Sequence, residues 1–170
     1  LLKESPALMP VIMDVTKPEQ IAAAVKTVQS ELKKRSLPLV ALVNNAGVLK
    51  NAPIEAQPLN DMRFMYDVNV FGLISVTQKF LPLLRETGAG ARLVNIGSIG
   101  GKVSSPLGGI YSSTKHAVEA VTDSLRMETS GQGIAVSLIQ PGLVATEIMN
   151  KENPNKFWAP KLEGEMLSLY

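Results

Sequence analysis

Leu39-Val40-Ala41-Leu42-Val43-Asn44-Asn45-Ala46-Gly47 runs an unbroken apolar segment straight into a polar turn that ends in glycine. Five apolar residues without polar alternation predict a strand covered on both faces, as strands in parallel sheets are, and the abrupt stop puts Asn44 to Gly47 at its carboxyl end. On either side the apolar spacing changes to a helical one. Upstream, Ile21, Val25, Val28 and Leu32 form one buried stripe that ends near Leu37-Pro38, and a long helical region covers about Asn60 to Arg85 downstream. Arg92 to Ile96 and Ala135 to Ile139 repeat the buried-strand pattern, separated by a helix from about Tyr111 to Ser130 that turns Val118, Val121 and Leu125 inward. Leu8 to Val15, an apolar run closed by Asp14, reads as a further strand, and Thr16-Lys17-Pro18-Glu19 as a capping box with proline in the first helical turn.

Strand, helix, strand, helix, strand, helix, strand is the order of an α/β protein with a doubly wound parallel sheet, whose ligands sit at the carboxyl ends of the strands. The polar and glycine-bearing motifs fall at those ends: Asp14, Asn44 to Gly47, Ser98 and Pro141-Gly142. One edge of the sheet therefore carries the site. No internal repeat or low-complexity tract interrupts the pattern. The tail from Lys151 to Tyr170, with Pro154, Phe157, Trp158 and Pro160, is less periodic and reads either as a flap over the site or as a frayed end.

Composition narrows the chemistry. The chain has 170 residues, 45% of them hydrophobic and 19% charged, enough for one domain with a sizeable core. Its net charge is only +2, and the one basic cluster, Lys33-Lys34-Arg35, stands where cations complement a helix dipole, so nucleic-acid binding has no support. With no cysteine and a single histidine, His116, disulfides, thiolate metal sites and a cysteine nucleophile are excluded, and no metal is expected. No apolar stretch is long enough to span a bilayer. The chain begins at Leu1 rather than methionine, which suggests a piece of a longer protein.

Tyr111 and Lys115 lie four residues apart at the start of the helix after Ser98. Residues at that spacing share a helix face, so the ammonium can stand beside the phenol and stabilise its anion, fitting the phenol to act as acid or base near neutrality. Taken singly the motifs are weak. Asp14 reads as a polar strand terminus, Asn69 as a helix-interior asparagine, Ser98 as turn chemistry and Thr146 as a cap. Tyr66, Met62 and Met65 read as packing. Their joint order decides otherwise for the first four.

In that order the chain resembles the short-chain dehydrogenase/reductase family from about Leu8 to Asn150. Asn44-Asn45-Ala46-Gly47 is similar to its Asn-Asn-Ala-Gly turn, Asn69 in Val68-Asn69-Val70 to its helix asparagine, Ser98 to its serine, Tyr111 with Lys115 to its catalytic pair, and Pro141 to Thr146 to its Pro-Gly segment. The resemblance implies a Rossmann-like fold and hydride transfer between a nicotinamide cofactor and a carbonyl or alcohol carbon. It implies catalytic roles for Asn69, Ser98, Tyr111 and Lys115. Ser98 would hydrogen-bond the substrate oxygen, Tyr111 would give or take the proton, Lys115 would hold the nicotinamide ribose, and Asn69 would hold a water linking Lys115 to solvent. Cofactor contacts are implied for Asp14 and Val15 near the adenine, for Asn45, Ala46 and Gly47 along the adenosine ribose, for Tyr111 and Lys115, and for Pro141, Gly142, Val144 and Thr146, the last two at the carboxamide.

Two departures stand out. Gly97 occupies a place where many members carry a first serine. The glycine-rich phosphate loop and first two strands of the family are not matched, because Leu8 to Val15 aligns with the third strand, so the chain reads as a single partial domain incomplete at both ends, with residues 151–170 opening the substrate loop. Segments such as Ser124-Leu125-Arg126-Met127-Glu128 are similar to the retinol and hydroxysteroid dehydrogenase branch. The expectation is therefore an oxidoreductase using NADP or NAD, NADP slightly favoured, on a hydrophobic alcohol or ketone. A general carbonyl or 3-oxoacyl reductase and a catalytically silent interaction module remain the alternatives. The family further implies a homodimer or homotetramer, and a place in the cytoplasm or on the cytosolic face of the endoplasmic reticulum.

Overall fold

The computed structural model describes residues 8–144. Thr146 and the tail from Lys151 lie outside them. Three strands, β1 (Ala41–Asn44), β2 (Arg92–Ile96) and β3 (Ala135–Ile139), form a parallel sheet in the order β1-β2-β3. Its register sets Leu42 beside Leu93 and Asn44 beside Asn95, and Leu93 beside Val136. The helices are α1 (Pro18–Arg35), α2 (Leu59–Tyr66), α3 (Leu73–Thr87) and α4 (Gly109–Glu128), and a π-helical segment, Asp67–Gly72, joins α2 to α3 without a break. This is the expected parallel sheet flanked by helices.

One face of the sheet is packed. Leu84 of α3 meets Ala91, Leu93, Ile134 and Val136 in one core cluster, while Ile21 of α1 meets Val76, Phe80 and Leu83 in a second, and Leu39 and Leu42 pack against both. Removing a side chain such as Leu93 or Leu84 from water contributes on the order of 1.5–3 kcal/mol. The opposite face is less covered than the apolar runs implied. Val43 is 55% and Ile139 50% exposed, and burial alternates along β2, so among the described residues the sheet is covered on one face only and the expected cover on both faces is not found.

A polar seam crosses the packed face near the strand ends. Asn44 Nδ2 donates to Thr77 Oγ1 of α3 and to Asn95 Oδ1, both at 2.9 Å, and Asn95 Nδ2 donates to Thr122 Oγ1 of α4 at 2.9 Å. All four side chains are buried, and each bond satisfies a group whose desolvation would otherwise cost about 1–3 kcal/mol. The seam fixes both helices relative to the strands where the motifs at the strand ends begin.

Two local expectations are corrected. Leu8 to Val15 is not a strand: a strand is held by ladder bonds, and no described strand lies beside it. Met13 and Val15 pack onto the α1/α3 cluster instead, and Ile12 is 98% exposed. The capping box does not form either. Helix α1 starts at Pro18, so the capping position falls on Lys17, one residue past Thr16. Asp14 closes the turn, its Oδ1 accepting from both the Thr16 N–H and hydroxyl at 2.8 Å, and the Thr16 N–H holds that carboxyl below its ordinary range. The basic cluster does end α1, as expected, with Ser36 in the left-handed region at φ 54°.

Gln57, in the loop before α2, is buried with neither amide atom partnered among the described residues. An unsatisfied buried amide costs about 1–3 kcal/mol, so Gln57→Met, which keeps the length and removes the polar atoms, is expected to stabilise the fold by roughly 1 kcal/mol. Urea unfolding reads this as a higher midpoint at unchanged slope; a lower midpoint would mean the amide is satisfied.

Candidate active site

A cleft of about 660 Å³ opens at the carboxyl ends of the three strands. It is lined by Asn45 and Gly47 after β1, by Ser98 after β2, by Tyr111 and Lys115 of α4, and by Pro141, Gly142 and Val144 after β3. Eight of the residues expected from the sequence thus share one wall. Val48, Leu49, Ile99, Val103 and Leu143 also line it, and Ile99, Val103 and Leu143 are exposed, so the mouth is apolar. Sequence reasoning passed over these, since single apolar loop residues carry no pattern. Ala46 belongs to the β1 turn but does not line the cleft, and neither do Asp14 and Val15.

Helix α4 delivers the central pair. Lys115 is buried, its Nζ lies 5.8 Å from the centre of the Tyr111 ring, and it donates to Ile96 O at 2.9 Å. Ser98, 8% exposed, begins a short 3₁₀ turn, Ile99–Gly101, and its Oγ accepts from the Gly100 N–H at 3.1 Å. That bond uses a lone pair and leaves the hydroxyl proton for another acceptor. A Cβ on Gly100 would stand 3.4 Å from both Ser98 Oγ and Tyr111 Cε1, so the two side chains converge on one point. A Cβ on Gly97 would stand 3.0 Å from Leu138 Cδ1 and 3.3 Å from Ile139 O, so a side chain there would press on the end of β3.

Asn69 sits beneath the cleft, 1% exposed, on the π-helical segment. Its Oδ1 accepts from Val48 N–H at 2.8 Å, while its Nδ2 donates to Val48 O at 2.9 Å and Thr114 Oγ1 at 3.1 Å. Both donors of the amide are spent on protein, so the side chain clamps the turn after β1 to α4. A Cβ on Gly47 would lie 3.6 Å from Asn69 Oδ1 and 3.8 Å from Lys115 Nζ, so the turn after β1 rests within contact distance of both side chains. Thr114, fully buried, completes the clamp by donating to Tyr111 O at 2.7 Å. Nothing in the spacing singles out Thr114, a hydroxyl inside a Ser-Ser-Thr run. The π turn was equally silent, although Gly72 marks it: a Cβ there would meet Val15 Cγ2 at 2.7 Å.

Burial lowers the Lys115 ammonium from an ordinary 10.5 to about 8. The folded state thus disfavours the charge. Below pH about 8 both folded and unfolded chains are protonated and the full cost stands; between about 8 and 10.5 the unfolded chain holds more protons, so stability rises with pH. At about 1.4 kcal/mol per pKa unit the whole rise is at most about 3.5 kcal/mol. Lys115→Met loses the Ile96 bond at every pH but loses the charge cost only where there is charge. Its stability relative to the parent is expected to fall from pH 7 to pH 10; the same difference at both pH values would contradict the lowered ammonium.

The comparisons with known proteins agree with this architecture. The chain belongs to the short chain dehydrogenase family, whose model matches residues 1–156. Among curated relatives it is 41% identical over 143 residues to NADPH-dependent 3-dehydrocapnine reductase of Ornithobacterium rhinotracheale, covering 82% of this chain and 50% of that one. It is 43% identical over 149 residues to retinol dehydrogenase 16 of Homo sapiens, covering 87% and 45%. The chain spans about half the length of the curated relatives it matches. Among solved structures, 3-ketoacyl-(acyl-carrier-protein) reductase from Brucella melitensis, complexed with NADH, superposes with a TM-score of 0.80 at 28% identity over 86% of this chain and 60% of that one. Family and fold are those the ordered motifs implied.

Proposed function

We propose that the protein transfers a hydride between NADP(H) or NAD(H) and the carbonyl or alcohol carbon of a hydrophobic substrate. The observation that carries this reading is the convergence of Ser98, Tyr111 and Lys115 on one cleft with an apolar mouth. The cleft fits a nicotinamide nucleotide. Gly47 keeps the wall beside Lys115 Nζ free of side chain, and a Cβ on Gly142 would meet nothing within 4 Å, leaving backbone accessible to a flat polar ligand on two sides. Asn45, Gly47, Pro141, Gly142 and Val144 would hold it there, with Asp14, Val15 and Ala46 proposed beyond the cleft's own wall, and Thr146, outside the described residues, proposed as a further contact. When bound, the nicotinamide gives or accepts the hydride.

The chain's own residues do the rest. As negative charge develops on the substrate oxygen, the Ser98 hydroxyl donates to it and Tyr111 delivers the proton; in oxidation the same groups run in reverse. Lys115 lends its positive charge to the phenolate left behind and presents Nζ to ribose hydroxyls. Asn69 holds the turn after β1 against α4, keeping Lys115 and Gly47 in register.

The retinol dehydrogenase relative and the apolar mouth both favour a retinoid- or steroid-like substrate. The structural neighbour that reduces a 3-ketoacyl group supports an acyl thioester as the second reading. A panel of retinoid, steroid and acyl thioester, each with NADPH and NADH, separates them: turnover of the thioester alone would sink the first, and turnover of none would favour the silent interaction module. Leu59, Phe64 and Phe71 stay exposed along α2 and the π segment, which supports a homodimer or homotetramer through this face, to be read by light scattering. No helix among the described residues is long and apolar enough to cross a membrane. A location in the cytoplasm or on the cytosolic face of the endoplasmic reticulum is proposed, with cell fractionation as its test.

A further inference from the structure

We propose that Glu119 is a positioning residue that ties the Ser98 turn to the Pro141-Gly142 segment, so that one carboxylate on α4 sets the distance between two walls of the cleft. The inference rests on the oxidoreductase reading for its consequence but not for its geometry.

Glu119 stands one helical turn beyond Lys115, on the same face of α4. Its side chain is only 12% exposed, and its two oxygens point to different loops. Oε2 pairs with Lys102 Nζ at 2.7 Å, and Lys102 directly follows the 3₁₀ turn that begins at Ser98. Oε1 accepts from Gln140 Nε2, and Gln140 directly precedes Pro141. The hydrogen bond that Lys102 donates to Glu119 raises the ammonium above its ordinary range, as a bond formed with the charged lysine must.

The backbone leaves room for this arrangement and depends on it. A Cβ on Gly101 would stand 3.0 Å from Glu119 Oε1 and 3.0 Å from Lys115 O, so the absent side chain lets the serine turn rest directly on α4 between the two residues. The same turn is laced to the strand β3 exit by Gly97 N–H to Ile139 O at 2.8 Å and Ile99 N–H to Pro141 O at 2.9 Å. Those two backbone bonds join the loops to each other; Glu119 joins both to the helix that carries Tyr111 and Lys115. Without the carboxylate those two backbone bonds would hold the loops alone and open more often, so the loops could shift against each other and relative to the phenol. A misplacement of about 1 Å at a catalytic group costs on the order of a hundredfold in rate, so a fraction of that shift is measurable.

The test uses the full chain with Glu119→Ala, Glu119→Gln, Gln140→Ala and the double variant Glu119→Ala/Gln140→Ala. Steady-state kinetics with the better nicotinamide cofactor is combined with amide hydrogen exchange at Gly97 and Ile99. Glu119→Ala is expected to lower kcat about tenfold and raise the cofactor KM several-fold, a size set by a sub-ångström displacement. Exchange at both amides should quicken. Glu119→Gln, which still accepts from Gln140, should recover part of the loss, and the double variant should be no worse than Glu119→Ala alone. Unchanged kcat and KM with only a lower melting temperature would overturn the proposal, as would full additivity in the double variant. If the parent chain turns over no substrate, the oxidoreductase reading fails separately, and the amide exchange alone decides whether Glu119 holds the loops.

Discussion

Tyr111→Phe is expected to lower kcat by about 10²- to 10⁴-fold, the usual worth of a positioned general acid, with cofactor affinity and fold intact. The reason is local. The ring of Tyr111 packs at the start of α4 beside Lys115 Nζ and over Gly100, while its hydroxyl has no partner among the described residues. Phenylalanine keeps the ring and removes only the proton carrier, so no buried group loses a bond. Turnover, nucleotide affinity and the urea midpoint separate the possibilities: unchanged turnover refutes the role, and a collapse of all three would make the residue structural.

Asn69→Ala should destabilise the fold near the cleft by roughly 2–5 kcal/mol, because it removes the partners of both backbone groups of Val48 and the donor to Thr114 Oγ1 at a part-buried junction. The loss should appear as a lower urea midpoint and as freer exchange of the Val48 amide. A milder Asn69→Asp keeps the acceptor for Val48 N–H but has no donor for Val48 O or Thr114. It is expected to fall between parent and alanine at neutral pH. A change in activity with no change in stability would return Asn69 to the purely chemical role, a holder of water, that the family resemblance implied.

Much of this was legible in the sequence because it follows period and order. The run Leu39 to Val43 and the stripe Ile21, Val25, Val28, Leu32 are short-range patterns, and each became the expected element within two or three residues. The ordered motifs from Asn44 to Val144 were legible for another reason: the chemistry needs particular side chains at strand ends, and the parallel sheet brings all such ends to one edge. What escaped was what depends on partners. Leu8 to Val15 has a strand's composition, but strand pairing is a tertiary fact, and composition cannot supply a neighbour. Thr16 matched a capping box that starts one residue too early once Pro18 takes the first helical position. The seam Asn44, Thr77, Asn95, Thr122 joins residues from four elements, and no spacing along the chain announces it.

The π-helical turn at Asp67–Gly72 makes the helical rod from Leu59 to Thr87 a ruler whose length is fixed from within. Each helical residue advances the side-chain direction by about 100°, so loss of one residue from the turn would swing every later side chain by that angle. Thr77 would leave Asn44, and Phe80, Leu83 and Leu84 would turn away from the two clusters they now fill. Insertions and deletions in descendants of this gene are therefore expected to spare the rod and accumulate in the loops that flank it, where length carries no phase.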